Sequence, residues 1–510
     1  MTALAAVPTE FGPVLSQVMA RASDPEQWER LERQLRSAGY CRHPVRLRGE
    51  TEAVDVKTGE VRTVFSTARE PDGALLKCCG NRREAVCPTC AEVYRGDAFQ
   101  LVAAGLRGGK GVPESVCGHP MVFVTLTAPS FGAAHSRRLA ENGEPRRCRP
   151  RRDGPVCPRG AAMGCGEVHH EDDPRLGEPL CPECFDYRHA VLWNALAPEL
   201  WRLTRNQVPR ELARLQGVTQ ARLLELVRVS YVKVAEYQAH GALHLHLVIR
   251  LDAAQPKGTA ELVEPPPAKF TAELLGDAIR AAVEHVRAPV PQSDEERGKP
   301  QQQLQLEPVH VRPAAIRWGR QVDVRVLELG EAPSCAGYIA KYATKSTEAV
   351  GGLMYRLSAS DLMNLRVRPH VRRLVECAWE LAGEPELRPL RLRRWAHALG
   401  FRGHCFTKSR RYSTTFTSLR EARHEHELRR AHGGEPFDPW GRPASQGACV
   451  ERRQWASAGS GYRTLGDAWL AESGRERRRV AREELRADRR GRSGRRAKVA
   501  TLGGSDEPEP

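Results

Sequence analysis

Apolar and polar positions alternate most clearly over residues 231–250, Tyr-Val-Lys-Val-Ala-Glu-Tyr-Gln-Ala-His-Gly-Ala-Leu-His-Leu-His-Leu-Val-Ile-Arg. Two period-two runs flank a Gly-containing turn, which is the signal for an antiparallel hairpin. Residues 121–127 form a short apolar run closed by Ala-Pro-Ser-Phe-Gly and read as a buried strand. Residues 61–65 and 321–329 also read as strands. Helical spacing marks residues 26–35, 187–215, 272–286, 371–381 and 390–399. Leu192, Leu196, Leu200 and Leu203 form one apolar row of the second of these, and Pro198 inside it predicts a kink or two shorter helices. A further helix starts at Pro333-Ser334 and runs towards Lys345. Strands and helices mixed in this order predict an α+β fold.

Composition narrows the partners. The chain has 510 residues, enough for two or three domains, and a net charge of +16. That balance favours a polyanion, nucleic acid before membrane. No apolar run approaches the roughly 18 residues of a membrane span, and no basic start with an apolar stretch marks a secretory leader. A cytoplasmic placement is expected, in which the fifteen cysteines serve as metal ligands or buried thiols rather than disulfides. Gly108-Gly-Lys-Gly111 fails the phosphate-loop pattern, so no helicase motor is expected within the chain.

Candidate chemistry begins on the hairpin. His244 and His246 leave one face of their strand, and a turn centred on His240 sets Glu236 opposite His244. Two imidazoles and a carboxylate make a three-ligand site for a divalent cation with positions left open. Alternating histidines alone are more often two satisfied polar side chains on a half-exposed strand; Glu236 opposite them brings the two readings level. In the 333–345 helix, Tyr338 and Tyr342 share a face beside a row formed by Lys341 and Lys345. Two tyrosines at that spacing are ordinarily core; interleaved lysines suit a phosphate-facing surface, where ammonium groups favour phenolate. Thr125 and Thr127 of the 121–127 strand read first as packing residues.

Cysteines cluster twice. Cys87-x-x-Cys90 with Cys41 and one of Cys78 or Cys79, Cys79 being preferred, supplies four thiolates for Zn²⁺ rather than a row of buried loop cysteines. The polar stretch 134–185 reads as a zinc-stabilised insertion, with Cys181 and Cys184 joined by two of Cys157, Cys165 and His169. One or two structural zinc sites follow. Residues 401–413 interleave base and ring; Lys408, Arg410, Arg411 and Tyr412 are candidate DNA contacts, against an ordinary solvated strand and turn. The Arg-rich 475–498 segment reads as a solvated helix, a DNA-binding tail or disordered chain, and 503–510 as disordered.

Together, Phe123-Val-Thr-Leu-Thr-Ala-Pro-Ser130, His244-Leu-His246 and Tyr338-Ile-Ala-Lys341-Tyr342-Ala-Thr-Lys345 resemble, in order, the three motifs of the two-tyrosine HUH endonucleases. The likeness is strongest to rolling-circle replication initiators of actinobacterial plasmids and spans about residues 40–430. It implies a central antiparallel HUH/RRM-like sheet with covering helices, in which the 121–127 strand lies beside the metal hairpin. It implies Mg²⁺ or Mn²⁺ at Glu236, His244 and His246, and nicking and joining of single-stranded or supercoiled origin DNA through a 5′-phosphotyrosine. A free 3′-hydroxyl is left for a host polymerase, with a host helicase in trans. The expected layout is a zinc-bearing N-terminal region (1–110), a nicking domain (115–350, with the insertion at 134–185 and a variable loop and helix at 251–315), a basic DNA-binding region (351–470) and an Arg-rich tail (471–510). Rival readings are a two-tyrosine transposase, a conjugative relaxase, which ordinarily carries its tyrosine near the N-terminus, and a non-catalytic zinc-bearing DNA-binding regulator.

Overall fold

A computed structural model describes residues 12–149, 156–255, 263–292, 313–345, 347–432, 438–440 and 449–502. In chain order its main elements are α1 (Gly12–Ala22), α2 (Pro25–Ser37), β1 (Val45–Asp55), β2 (Val61–Ser66), β3 (Leu75–Lys77), α3 (Pro88–Arg107), β4 (Met121–Leu126), α4 (Tyr187–Leu215), β5 (Val227–Tyr237), β6 (Leu243–Ala253), α5 (Ala272–His285), β7 (Val322–Val326), α6 (Ala332–Ala343), α7 (Pro369–Leu381), β8 (Phe406–Lys408), β9 (Cys449–Ser460) and α8 (Leu465–Leu502). The Gln-rich loop near 300 and the 503–510 terminus lie outside the described residues. No described helix is long and apolar enough to cross a membrane.

The chain divides into two compact units, Met1–Tyr94 with Glu421–Pro510, and Arg95–Arg420. A boundary near 350 is therefore corrected. The reason lies in two late strands: β8 adds to the sheet begun by β4, and β9 returns to pair with β1. In the first unit the strand order is β9-β1-β2, with β3 also on β1, all antiparallel. Asp24 caps α2 by accepting from the Glu26 and Gln27 N–H groups. Leu31 and Leu35 of that helix bury against Ala471 of α8. The 475–498 segment thus lies within a continuous helix.

The second unit is built on a five-stranded antiparallel sheet in the order β7-β4-β6-β5-β8. β6 is central, and β4 lies beside the hairpin. On β6 the residues Leu243, Leu245, Leu247, Ile249 and Leu251 all face the main core, which α4 and α5 close with Leu192, Leu196, Leu200, Leu275 and Ile279. A central strand buried on both faces reads apolar on one and carries buried polar groups on the other, here His246, Arg250 and Asp252. α4 runs unbroken for 29 residues through Pro198 and Pro209. Fifteen of its residues are buried, and burial on that scale outweighs the roughly 3 kcal/mol an interior proline costs.

Candidate active site

Hairpin register decides which groups meet. Glu236 pairs with His244, and Val234 with His246. Both histidines and Glu236 therefore emerge on the face away from the main core, where α6 packs on β5. The side chains then lean diagonally: His246 Nε2 and Glu236 Oε2 are 2.8 Å apart. His244 stands farther off, its ring 6.0 Å from that of His246. Among the described residues these three donors do not close into one tight cluster. Burial, then His246 and His240, hold the His244 imidazole down at about 3, so it is neutral and able to ligate. The donor set, two nitrogens and one oxygen on a half-open face, is of the kind that a hard or borderline divalent cation takes.

On β4, Thr125 pairs with His246, and its Oγ1 lies 3.2 Å from Nδ1 of that ring. A hydroxyl can donate to Nδ1 or accept from it, so it fixes the ring in either tautomer and leaves Nε2 facing the site. Thr127 instead donates to the Gln321 carbonyl. Were His246 to ligate Mn²⁺, Thr125→Val would weaken that binding by roughly 10-fold or more; an unchanged dissociation constant in calorimetric titration would remove this orienting role.

α6 brings both tyrosines to the same place. Tyr338 Oη is 3.3 Å from His246 Nε2, across 92 residues of chain. Its ring also meets Phe123 edge-on at 5.9 Å. The Tyr342 ring stacks on His246 at 5.8 Å and lies 4.9 Å from that of Tyr338. Lys341 and Lys345 hold their Nζ atoms 5.4 and 5.5 Å from the Tyr342 ring centre. The expected depression of the phenol pKa by these lysines is not found. Burial first, and Glu236 second, raise both tyrosines above the ordinary phenol value. An ammonium over a ring face acts on the π cloud more than on the distant oxygen, whereas the carboxylate lies beside the hydroxyls.

A cavity of about 1170 Å³ opens beside His244. Arg149, Arg280, Arg287, Arg317 and Arg320 line it, with Glu284 as its carboxylate. These arginines come from three separate stretches of chain, so no local charge run marked them.

Three groups of thiol and imidazole donors converge elsewhere. Cys41, Cys79, Cys87 and Cys90 meet in the first unit, with sulfur separations of 3.7 Å for the 41–87, 41–90 and 79–90 pairs. Tetrahedral Zn–S bonds of about 2.3 Å would space sulfurs about 3.8 Å apart. The insertion separates into two sets where one was expected. Cys157 joins Cys181 and Cys184, whereas Cys165 and His169 join His135 and Cys148. Backbone pairing of Cys165 with Arg149 draws it away from the Cys181 knuckle.

The basic segment after β8 is corrected at one residue. Tyr412 is fully buried, its hydroxyl donating to the Val102 carbonyl and its ring 5.3 Å from the Arg250 guanidinium. A Cβ at Gly105 would fall 2.2 Å from that ring, so the tyrosine fills a glycine-made slot and offers no face to a base. Lys408 Nζ donates to the carbonyls of Ser409, Arg410 and Ser413 and ties the turn. Arg410 is exposed and Arg411 half-buried.

The family model for the replication initiator protein of pSAM2, RepSA, matches residues 27–476. The chain belongs to this family of replication initiators. A replication initiator protein of Streptomyces ambofaciens is 38% identical over 490 residues, 94% of this chain and 95% of that one. No solved structure matches.

Proposed function

We propose that this chain starts plasmid rolling-circle replication as an HUH enzyme, cutting and rejoining one strand of the origin. The carrying observation is the 3.3 Å approach of Tyr338 Oη to His246 Nε2, beside Glu236 and Tyr342. Membership of the initiator family supports the biological role, and the juxtaposition of the tyrosine helix with the hairpin supports the chemistry.

Tyr338, once deprotonated, attacks the scissile phosphorus. A P–O(tyrosine) bond forms as the P–O3′ bond breaks, and the 3′ oxygen leaves and takes up a proton. One phosphodiester replaces another, so rejoining needs no ATP. Tyr342 then cuts the regenerated site while Tyr338 still holds the first 5′ end; the new 3′-hydroxyl displaces Tyr338 and closes a circle. Lys341 and Lys345 place positive charge beside the phosphate undergoing substitution. Mg²⁺ or Mn²⁺, held by Glu236, His244 and His246, supplies Lewis-acid polarisation of a phosphate oxygen when bound. The arginine-lined cavity leads single-stranded DNA to His244, with Arg410 and Arg411 as further phosphate contacts. Strand separation and extension fall to a host helicase and polymerase. Zn²⁺ at Cys41, Cys79, Cys87 and Cys90, and at Cys157, Cys181 and Cys184, acts structurally.

The test is incubation of the full chain with origin single strand and Mn²⁺, then denaturing electrophoresis. A covalent protein–DNA band is expected, lost with a chelator and in the Tyr338→Phe, Tyr342→Phe double variant. Binding without any such band would leave a DNA-binding regulator instead.

A further inference from the structure

His135 and Cys148 carry none of the close spacing that marks a zinc knuckle, yet the fold brings both to Cys165 and His169. The four donor atoms all lie within 4.8 Å of one another. His135 Nδ1 and His169 Nε2 are 3.1 Å apart, and Cys165 Sγ is 3.6 Å from the same Nε2. Tetrahedral zinc, with Zn–N near 2.05 Å and Zn–S near 2.3 Å, would set these edges at about 3.3 and about 3.6 Å. The second group on His169 fixes its tautomer. Its Nδ1 lies 2.7 Å from Asp173 Oδ2, so Nδ1–H donates to the carboxylate and the Nε2 lone pair points at the other three donors. Cys148 is fully buried, and its Sγ accepts from the Ser136 N–H at 3.2 Å, which holds the sulfur in place. His169 is only 1% exposed. Burying such groups in a segment this poor in apolar residues is costly unless something ligates them.

We infer that His135, Cys148, Cys165 and His169 form a zinc site of their own, sharing no ligand with the Cys157, Cys181 and Cys184 set. Its place in the fold gives it a task. Arg149 N–H donates to the Cys165 carbonyl at 2.8 Å, and the Cys165 N–H donates back at 3.0 Å. Arg149 Nε donates to the Ala134 carbonyl at 3.1 Å. Metal binding therefore clamps the two residues, His135 and Arg149, that form one wall of the cavity beside His244. The insertion is in turn fastened to the hairpin turn. Gly177, at φ +87°, passes so close that a Cβ would lie 2.0 Å from the Ala239 carbonyl oxygen. Arg368 donates to the carbonyls of both Leu176 and Ala239. Zinc here sets a cavity wall against the turn that joins β5 to β6.

Metal content reports on this site independently of nicking. Full-length protein, loaded with zinc and desalted, is measured by elemental analysis and native mass spectrometry. Cys148→Ser is expected to lose one zinc equivalent relative to the unsubstituted chain, Cys181→Ser to lose one, and the combined variant two. Full zinc in Cys148→Ser, or a loss of only one in the combined variant, overturns the separate site. A second measurement covers a serine variant that unfolds. In the cobalt-loaded chain, His135→Cys exchanges a nitrogen ligand for sulfur, so cobalt is retained and thiolate-to-cobalt absorption rises. An unchanged spectrum with full cobalt overturns His135 as a ligand.

Discussion

Cutting of an origin oligonucleotide falls by on the order of 10⁴-fold in Tyr338→Phe, whereas Tyr342→Phe keeps the first cut and fails in circle release. Tyr338 is 39% exposed and its hydroxyl already faces His246 Nε2, so an incoming phosphate reaches it first. Tyr342 is stacked on the His246 ring, and its hydroxyl engages Glu236 and Tyr338. Burial and the Glu236 carboxylate raise both phenols, Tyr342 the more strongly. A cation bound by Glu236 cancels the second of these effects, which lets a phenol ionise at lower pH only in the loaded site. Rate against pH, taken at rising Mn²⁺, should therefore move its half-point downward. Single-turnover cleavage and circle release, assayed separately for each variant, decide the order. Cutting retained in Tyr338→Phe and lost in Tyr342→Phe would reverse the roles.

What was legible along the chain was whatever period and turn chemistry dictate. A glycine turn between alternating runs sets register, so the opposition of Glu236 and His244 could be written down before any fold existed. Register fixes Cα partners and not rotamers, and the lean of Glu236 towards His246 was beyond it. The four-cysteine set of the first unit was readable because Cys87 and Cys90 sit one turn apart at a helix start. In the insertion the same reasoning misassigned partners. The ladder that binds Cys165 to Arg149 has no periodic signal, and His135 follows β4 with no knuckle around it. β9 was read as part of a late region for a similar reason. Its partner strand lies 400 positions earlier, as the Arg452–Glu52 pair shows, and nothing local records such a return. Tyr412 misled most simply: an aromatic among arginines looks exposed, and the slot that receives it is made by a glycine some 300 residues away.

Asp252→Ala is expected to destabilise the second unit by roughly 3–5 kcal/mol, because it strands buried cations. The Asp252 carboxylate accepts from His119 Nδ1 at 2.9 Å, Arg250 Nε at 2.6 Å, Ser230 Oγ at 2.6 Å and Arg228 Nη2 at 3.3 Å. Both Asp252 and Arg250 are fully buried on the face of β6 that also carries His244 and His246. Arg250 further donates to the carbonyls of Gly105 and Tyr412, so the cluster ties β6 to α3 and to the segment after β8. Burial pushes this carboxyl upward, yet His119, Arg250 and Ser230 hold it at about 2, below its usual 3.8. A carboxyl depressed in the folded state stabilises above its unfolded pKa, and that contribution, about 2 kcal/mol, is lost as pH falls from near 4 through about 2. The difference in urea-unfolding free energy between Asp252→Asn and the unsubstituted chain should therefore be constant from pH 7 to 5 and shrink below 4. Taking the difference cancels any zinc lost by both proteins in acid. A gap that stays level down to pH 2.5 would mean the cluster contributes packing and not charge.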